Sequence, residues 1–251
     1  MKVGSSVTIG LLLPDVLGTY SDSGNATILA QRLRWRGVPA EVVRCPADRS
    51  PPSSCEIYLL GGGEDTAQLF AVGWLRKHEA LCAALAGEAV TLAVCAGMQI
   101  LGRWMESPDG ERHTGVGLLD LTTRPRRVRA TGEVVVDCAL PGVGLLSGFE
   151  NHAGATTLGR DARPLGRVLS GVGNGDLRGS AEGVVSGRTV GTYLHGPVLA
   201  RNPELADYLL ALVVGSTLPD IDVPDQAGLR ATYLGGRSGR PAVGGGLRRP
   251  R

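Results

Sequence analysis

Hydrophobic positions follow two different rhythms along this chain. Up to residue 102 they fall in short continuous apolar runs, each followed by a longer amphipathic stretch, the pattern of strands buried on both faces alternating with helices. Val7 to Leu13 reads as the first strand, ended by Pro14-Asp15. Asn25 to Arg36 reads as a helix with Ile28, Leu29, Leu33 and Trp35 at apolar positions and Gly37 as its C-terminal cap. Ala40 to Arg44 and Glu56 to Leu60 are the next strands, the second running into Gly61-Gly62-Gly63. One helix is expected from about Thr66 to Ala86, stopped by Gly87, before a strand at Ala89 to Val94.

After Gly102 the rhythm changes. Gly115 to Thr123, Arg126 to Cys138 and Ser147 to Leu158 are β-prone without long helices between them, and further strands are expected near Gly183 to Val185 and Thr189 to Leu194. A last helix begins at Asn202, a good N-cap, with Pro203 at its first position and Leu205, Leu209, Leu210 and Val213 on its apolar face. The fold class expected is α/β: a mostly parallel, doubly wound sheet flanked by helices, extended by antiparallel strands in the second half. Residues 1–234 form one domain in this reading, and 235–251, rich in Gly, Arg and Pro, a disordered tail.

Composition narrows the classes. Twenty-six Lys and Arg against 24 acidic residues leave a net charge of +2, too little for a nucleic-acid or acidic-membrane binder. Five cysteines without a CxxC pair fit neither a disulfide framework nor a zinc site, so no metal is expected. With no signal peptide or long apolar span, a cytoplasmic location is expected.

The candidate chemistry gathers where strands end. Thr91-Leu-Ala-Val-Cys95-Ala-Gly-Met-Gln-Ile-Leu-Gly102 carries a cysteine from a strand into a turn and a short helix, with small residues, Ala93 and Gly97, two positions either side. This is the pattern of a nucleophile elbow, in which helix N–H groups favour the thiolate and can bind an oxyanion. On these residues alone a buried core cysteine fits equally well. The glycine triplet matches neither dinucleotide nor P-loop patterns, so it is either a permissive turn or a second source of main-chain oxyanion donors, with Gly62, Gly63 and Ala96 as the candidates. His195, at the end of Thr192-Tyr-Leu-His-Gly-Pro197, is the candidate base, and His152 its one competitor. His78 and His113 read as solvated, and Cys45, Cys55, Cys82 and Cys138 as bystanders.

Taken together, Leu59-Leu-Gly-Gly-Gly63, the Cys95 elbow and Tyr193-Leu-His-Gly-Pro197 resemble the class I glutamine amidotransferases, and within them the cobyric-acid-synthase-like branch, whose histidine lacks a His-x-Glu partner. Pro14-Asp15 with Tyr20, Asp22, Gly24 and Asn25, then Arg32-Leu-x-Trp-Arg-Gly37 and Gly148-Phe-Glu-Asn-His152, resemble the GatD subunits of lipid II isoglutaminyl synthases. The resemblance spans roughly residues 7 to 214 and implies a glutaminase in which Cys95 attacks the glutamine amide, His195 moves the proton and a thioester forms. It also implies that Arg129, ahead of Gly132-Glu133, holds the substrate carboxylate. Ala153 and Ala155 depart from the family's Asn-His-Gly-Gly-Arg-Thr pattern. No cofactor is expected on this chain. ATP and Mg are expected on a partner, a Mur-ligase-like (MurT-type) synthetase that takes the ammonia to D-glutamate of the lipid II stem peptide, and that partner is also a candidate source of the carboxylate missing beside His195. Membrane insertion is not expected, lipid II being reached through the partner. The alternatives are amidation of a corrinoid, in chains that carry an ATP-using domain in front, or another Cys/His hydrolase.

Overall fold

A computed structural model describes residues 6–18, 22–176 and 179–235; Tyr20 and the residues after Gly235 lie outside them. The first half alternates as its hydrophobic pattern predicts: β1 (Val7–Leu12), α1 (Gly24–Arg34), β2 (Ala40–Cys45), β3 (Ile57–Leu60), α2 (Asp65–Lys77), α3 (Glu79–Ala86), β4 (Val90–Val94) and α4 (Ala96–Leu101). The second half is mostly strand: β5 (Trp104–Glu106), β6 (Arg112–Thr114), β7 (Leu121–Cys138), β8 (Leu145–Leu158), β9 (Gly166–Ser170), β10 (Ala181–Glu182), β11 (Val184–Ser186) and β12 (Thr189–Thr192). Three helices close the described chain: α5 (Val198–Arg201), α6 (Pro203–Val214) and α7 (Gln226–Gly235).

The first sheet has the order β11-β12-β4-β3-β1-β2 and is parallel except for β11. Every residue of β3, β4 and β12 is buried, and the first two read as apolar runs for that reason, whereas only Cys45 of the edge strand β2 is buried. The antiparallel strands do not simply extend this sheet. Only β11 joins it, and the rest form a second six-stranded sheet around the long β7–β8 hairpin. That hairpin buries one side of β7, Leu121 and Thr123 before the register shift between Pro125 and Ala130, and Ala130, Val134 and Val136 after it, each set at the even spacing of a strand with one solvated face.

Three local readings needed correction. The long helix breaks at His78, whose N–H bonds Leu75 O while its ring Nδ1 lies 2.8 Å from Trp74 O, the carbonyl that a continuing helix would have used. Trp35 falls just past the last turn of α1 and is half exposed. Asn202 precedes α6 but makes no side-chain cap. Instead its Oδ1 accepts the Ser147 N–H (2.9 Å) and its Nδ2 donates to Ser147 O and Val198 O (2.8 Å each), fastening the helix start to β8. The cap at Gly37 is as expected: φ is 71°, with Gly37 N–H bonding Arg34 O and Val38 N–H bonding Leu33 O.

Arg32 and Arg36 fork onto Asp207 of α6, Arg32 in a bidentate pair of 2.7 and 2.6 Å, so the Arg-rich segment of α1 is a helix-to-helix clamp. Among the described residues no helix is long and apolar enough to cross a membrane.

Because Asn202 is fully buried and satisfies both main-chain groups of Ser147, Asn202→Ala should destabilise the fold by about 3 kcal/mol, read from the shift of the urea unfolding midpoint at constant slope.

Candidate active site

The site is built where three parallel strands end side by side. Leu60 of β3 pairs with Ala93 of β4, and Thr192 of β12 pairs with Val94, so the residues following each strand meet at one edge of the sheet. These are the glycine triplet, Cys95 and the segment leading to His195.

Cys95 takes φ 52° and ψ −107°, a left-handed conformation that costs a non-glycine residue about 1–3 kcal/mol. It is held by main-chain bonds on both sides: Cys95 N–H to Thr192 O (2.8 Å) and Gly97 N–H to Gly61 O (3.1 Å). Gly97 has no alternative, since a Cβ there would stand 2.8 Å from both Cβ and O of Leu60. His195 is positioned from the other sheet, exchanging its N–H and C=O with Phe149 of β8 (2.8 and 3.1 Å).

The groups converge on Gly62. A Cβ at that glycine would lie 3.0 Å from His195 Cε1, 3.3 Å from Asp22 Oδ2 and 3.7 Å from Cys95 Cβ. Asp22, buried in the loop ahead of α1, places Oδ1 3.4 Å from His195 Nδ1 and accepts the Gly62 N–H on Oδ2 at 2.8 Å. The carboxylate that the sequence around His195 lacks therefore comes from 173 residues upstream. The Gly62 amide is committed to Asp22, while Gly63 lines the cavity beside Cys95 and the Ala96 N–H faces the sulfur.

Sequence position suggested a thiol biased towards thiolate. Burial reverses that bias: the Cys95 thiol is pushed up to about 12, by desolvation first and then by the Asp22 charge, and the Ala96 N–H and Arg129 offset only part of it. Burial at the sheet end thus keeps the proton on sulfur at rest. Cys45, Cys55, Cys82 and Cys138 are likewise raised by burial, none of them at a turn of this kind.

A cavity of about 110 Å³ opens beside Cys95, lined on one wall by Glu64, Asp65 and Gln68 of the α2 end and on the other by Arg129, Asn151 and His152 of the hairpin. Arg129 belongs to a bulge in which Arg126-Arg127-Val128-Arg129 stand opposite Ala153 alone, and its Nη1 donates to Asn151 Oδ1 at 2.6 Å. His152 is placed away from the base position: its Nδ1 bonds Gly154 O and its ring stacks on Tyr193 at 3.7 Å. His113, read as solvated, is mostly buried at the cavity wall with Nε2 2.6 Å from Ser107 Oγ. His78 packs on Trp74 far from this chemistry.

A strained cysteine, a buried histidine and a carboxylate on one sheet edge is an acyl-transfer constellation. The profile of the CobB/CobQ-like glutamine amidotransferase domain matches residues 8–203. The chain belongs to this family. It is a glutamine-hydrolysing amidotransferase. It is 37% identical over 206 residues to the GatD subunit of lipid II isoglutaminyl synthase from Staphylococcus aureus (strain N315), covering 81% of this chain and 83% of that one. It is 31% identical over 223 residues to the GatD subunit from Streptococcus pneumoniae (strain ATCC BAA-255 / R6), covering 87% and 85%. A crystal structure of a glutamine amidotransferase superposes with a TM-score of 0.56 at 20% identity, over 82% of this chain and 98% of that one, so the fold is shared.

Nothing local in the sequence marks Asp22 beyond the GatD-like segment from Pro14 to Asn25. What could have singled it out is its neighbourhood: Gly24 packs against Pro197, and Asn25 Oδ1 accepts the Leu199 N–H at 3.0 Å, so the loop after β1 and the loop after His195 are one construction.

Two outcomes follow from this amidotransferase site. Alkylation of Cys95 by iodoacetamide should rise about tenfold per pH unit from about pH 7 to 10 without a plateau, because the thiolate fraction limits the rate; mass mapping of the adduct at each pH reads it. Asp22→Asn, which keeps the shape but not the charge, should lower glutaminase kcat by about 10²–10⁴ with the melting temperature little changed.

Proposed function

We propose that this chain is the glutaminase subunit of an amide ligase that amidates D-glutamate in the stem peptide of lipid II. The observation that supports it most is the convergence of Cys95, His195 and Asp22 on Gly62, in a chain more than four-fifths of which aligns with GatD subunits.

The chemistry runs as follows in this reading. Glutamine enters the cavity with its α-carboxylate on Arg129, whose planar fork suits a carboxylate and which the bulge holds at the rim. His195 takes the Cys95 proton as sulfur attacks the side-chain amide carbon, and Asp22 stabilises the imidazolium that forms. The tetrahedral oxyanion is met by the Gly63 and Ala96 amides. His195 then protonates the departing nitrogen, so the C–N bond breaks, ammonia leaves and a thioester remains. Water attacks the thioester with His195 as base, releasing glutamate and restoring the thiol.

The high thiol pKa gives this sequence a purpose for substrate binding. At rest the proton stays on sulfur, so hydrolysis waits for a ligand that excludes water and aligns the base. A Mur-ligase-like, MurT-type synthetase is the proposed acceptor of ammonia, docked over the cleft between Cys95 and the cavity rim, with ATP and Mg on that partner and lipid II reached through it. With Asp22 in place beside His195, the role left to the partner is closure and ammonia transfer, not the supply of a carboxylate.

Glutamate release measured for this chain alone, with a Mur-ligase-like synthetase, and for Arg129→Ala in the pair tests the reading. The pair should exceed the lone chain, and Arg129→Ala should raise KM by about 10²-fold with a smaller change in kcat. A lone chain that gains nothing from the synthetase, in a pair that leaves lipid II unamidated, would exclude this function.

A further inference from the structure

Glu182 is a fully buried carboxylate that the proton transfers above do not use. It sits on β10, in the second sheet, yet its contacts are with the end of β12 in the first. Its Oε1 accepts two hydrogen bonds, from Thr192 Oγ1 at 2.5 Å and from the Tyr193 N–H at 2.8 Å. Among the described residues its Oε2 has no hydrogen-bond partner. The place of Glu182 is itself fixed: the next residue, Gly183, has φ 61°, and both its main-chain groups are held by the buried Asn174, N–H to Oδ1 at 2.7 Å and C=O to Nδ2 at 2.9 Å.

Thr192 is the residue on which both catalytic side chains lean. Its carbonyl accepts the Cys95 N–H, one of the two bonds that hold the left-handed elbow. Its hydroxyl accepts the Leu194 N–H at 3.0 Å, tightening the turn that delivers His195. A threonine hydroxyl has one proton, so it can present a lone pair to Leu194 only if that proton is directed elsewhere. Glu182 Oε1 is the acceptor that directs it. Tyr193 extends the same support: its phenol takes a hydrogen bond from Gln99 of α4 at 2.8 Å and meets Thr156 at 2.6 Å.

We propose that Glu182 is a positioning residue for the reaction: by accepting from Thr192 and Tyr193 it holds the Cys95 elbow and the His195 turn in register with each other. The role is that of a hydrogen-bond acceptor, which a carboxylic acid, a carboxylate or an amide oxygen can all fill. Burial, with the nearby Glu150 charge adding to it, pushes the group up to about 7, and the acceptor oxygen is present on either side of that value.

This inference rests on the glutaminase reading and is tested with the full chain and its synthetase by comparing Glu182→Ala, Glu182→Gln, Thr192→Val and the Glu182→Ala/Thr192→Val double variant. Glu182→Ala and Thr192→Val should each lower kcat by about 10- to 100-fold with KM within about threefold, since misplacement of reacting groups acts on the chemical step. The double variant should lose less than the product of the two single losses, because the Thr192 Oγ1–Glu182 tie is shared between them. Glu182→Gln should recover most of the kcat lost in the Ala variant. Deuterium uptake should rise in Glu182→Ala at peptides covering residues 94–97 and 192–195. Wild-type kcat in Glu182→Ala, a loss confined to KM, or a Gln variant as poor as the Ala variant would overturn the assignment. If Glu182→Ala fails to fold, Thr192→Val against Thr192→Ser decides, the serine recovering kcat only if the hydroxyl tie matters. Should the wild-type pair hydrolyse no glutamine, the glutaminase reading fails, while uptake unchanged at both peptides would still reject the role of Glu182.

Discussion

The main-chain conformation of Cys95 is the constraint on which the site depends. A non-glycine residue with φ near 50° returns to ordinary space unless its neighbours over-determine it. Here the over-determination comes from parallel pairing. With β4 between β3 and β12, the chain after Val94 is bonded to Gly61 on one side and Thr192 on the other, and both partners are themselves strand ends. The strain is thus supported by the whole first sheet, and the groups gathered at Gly62 inherit their spacing from strand separation.

The second sheet completes what the first begins. His195 leaves β12 and is caught at once by Phe149 of β8, and Glu182 reaches back from β10 to Thr192. Between the layers runs a buried polar chain, Gln68 to Gln99 to Tyr193 to Thr156 to Thr123, with contacts of 2.6 to 2.9 Å. Such a chain tolerates few arrangements, because each unsatisfied buried group costs about 1–3 kcal/mol. It fixes α2 and the hairpin, the two walls of the cavity, relative to the elbow.

How much of this could be read from the residues depended on range. Continuous apolar runs located β1, β3 and β4, since burial on both faces leaves a local mark. Ala93 and Gly97 located the elbow because the turn allows nothing larger there. Asp22 and Glu182 carried no comparable mark: one acidic residue in a loop and one before a glycine look alike in sequence, and only the pairing of distant segments shows that one faces His195 and the other Thr192. The sign of the Cys95 shift was likewise hidden, because position at a helix start is local while desolvation is set by everything packed around it. The break at His78 was missed for a different reason, an imidazole substituting for a main-chain donor at Trp74 O.

The bulge at Arg126-Arg127-Val128-Arg129 has a consequence for how this protein can change. Four residues stand there against one, and Val128 at its crest is 73% exposed. In a regular strand, adding or deleting a single residue would invert every side chain beyond it and bury the wrong face. A bulge absorbs the extra length locally, so the alternation of Val134 and Val136 into the core is independent of how many residues form the rim above. The rim around Arg129 can therefore be lengthened or shortened over evolutionary time while the elbow and its supporting sheets keep their register.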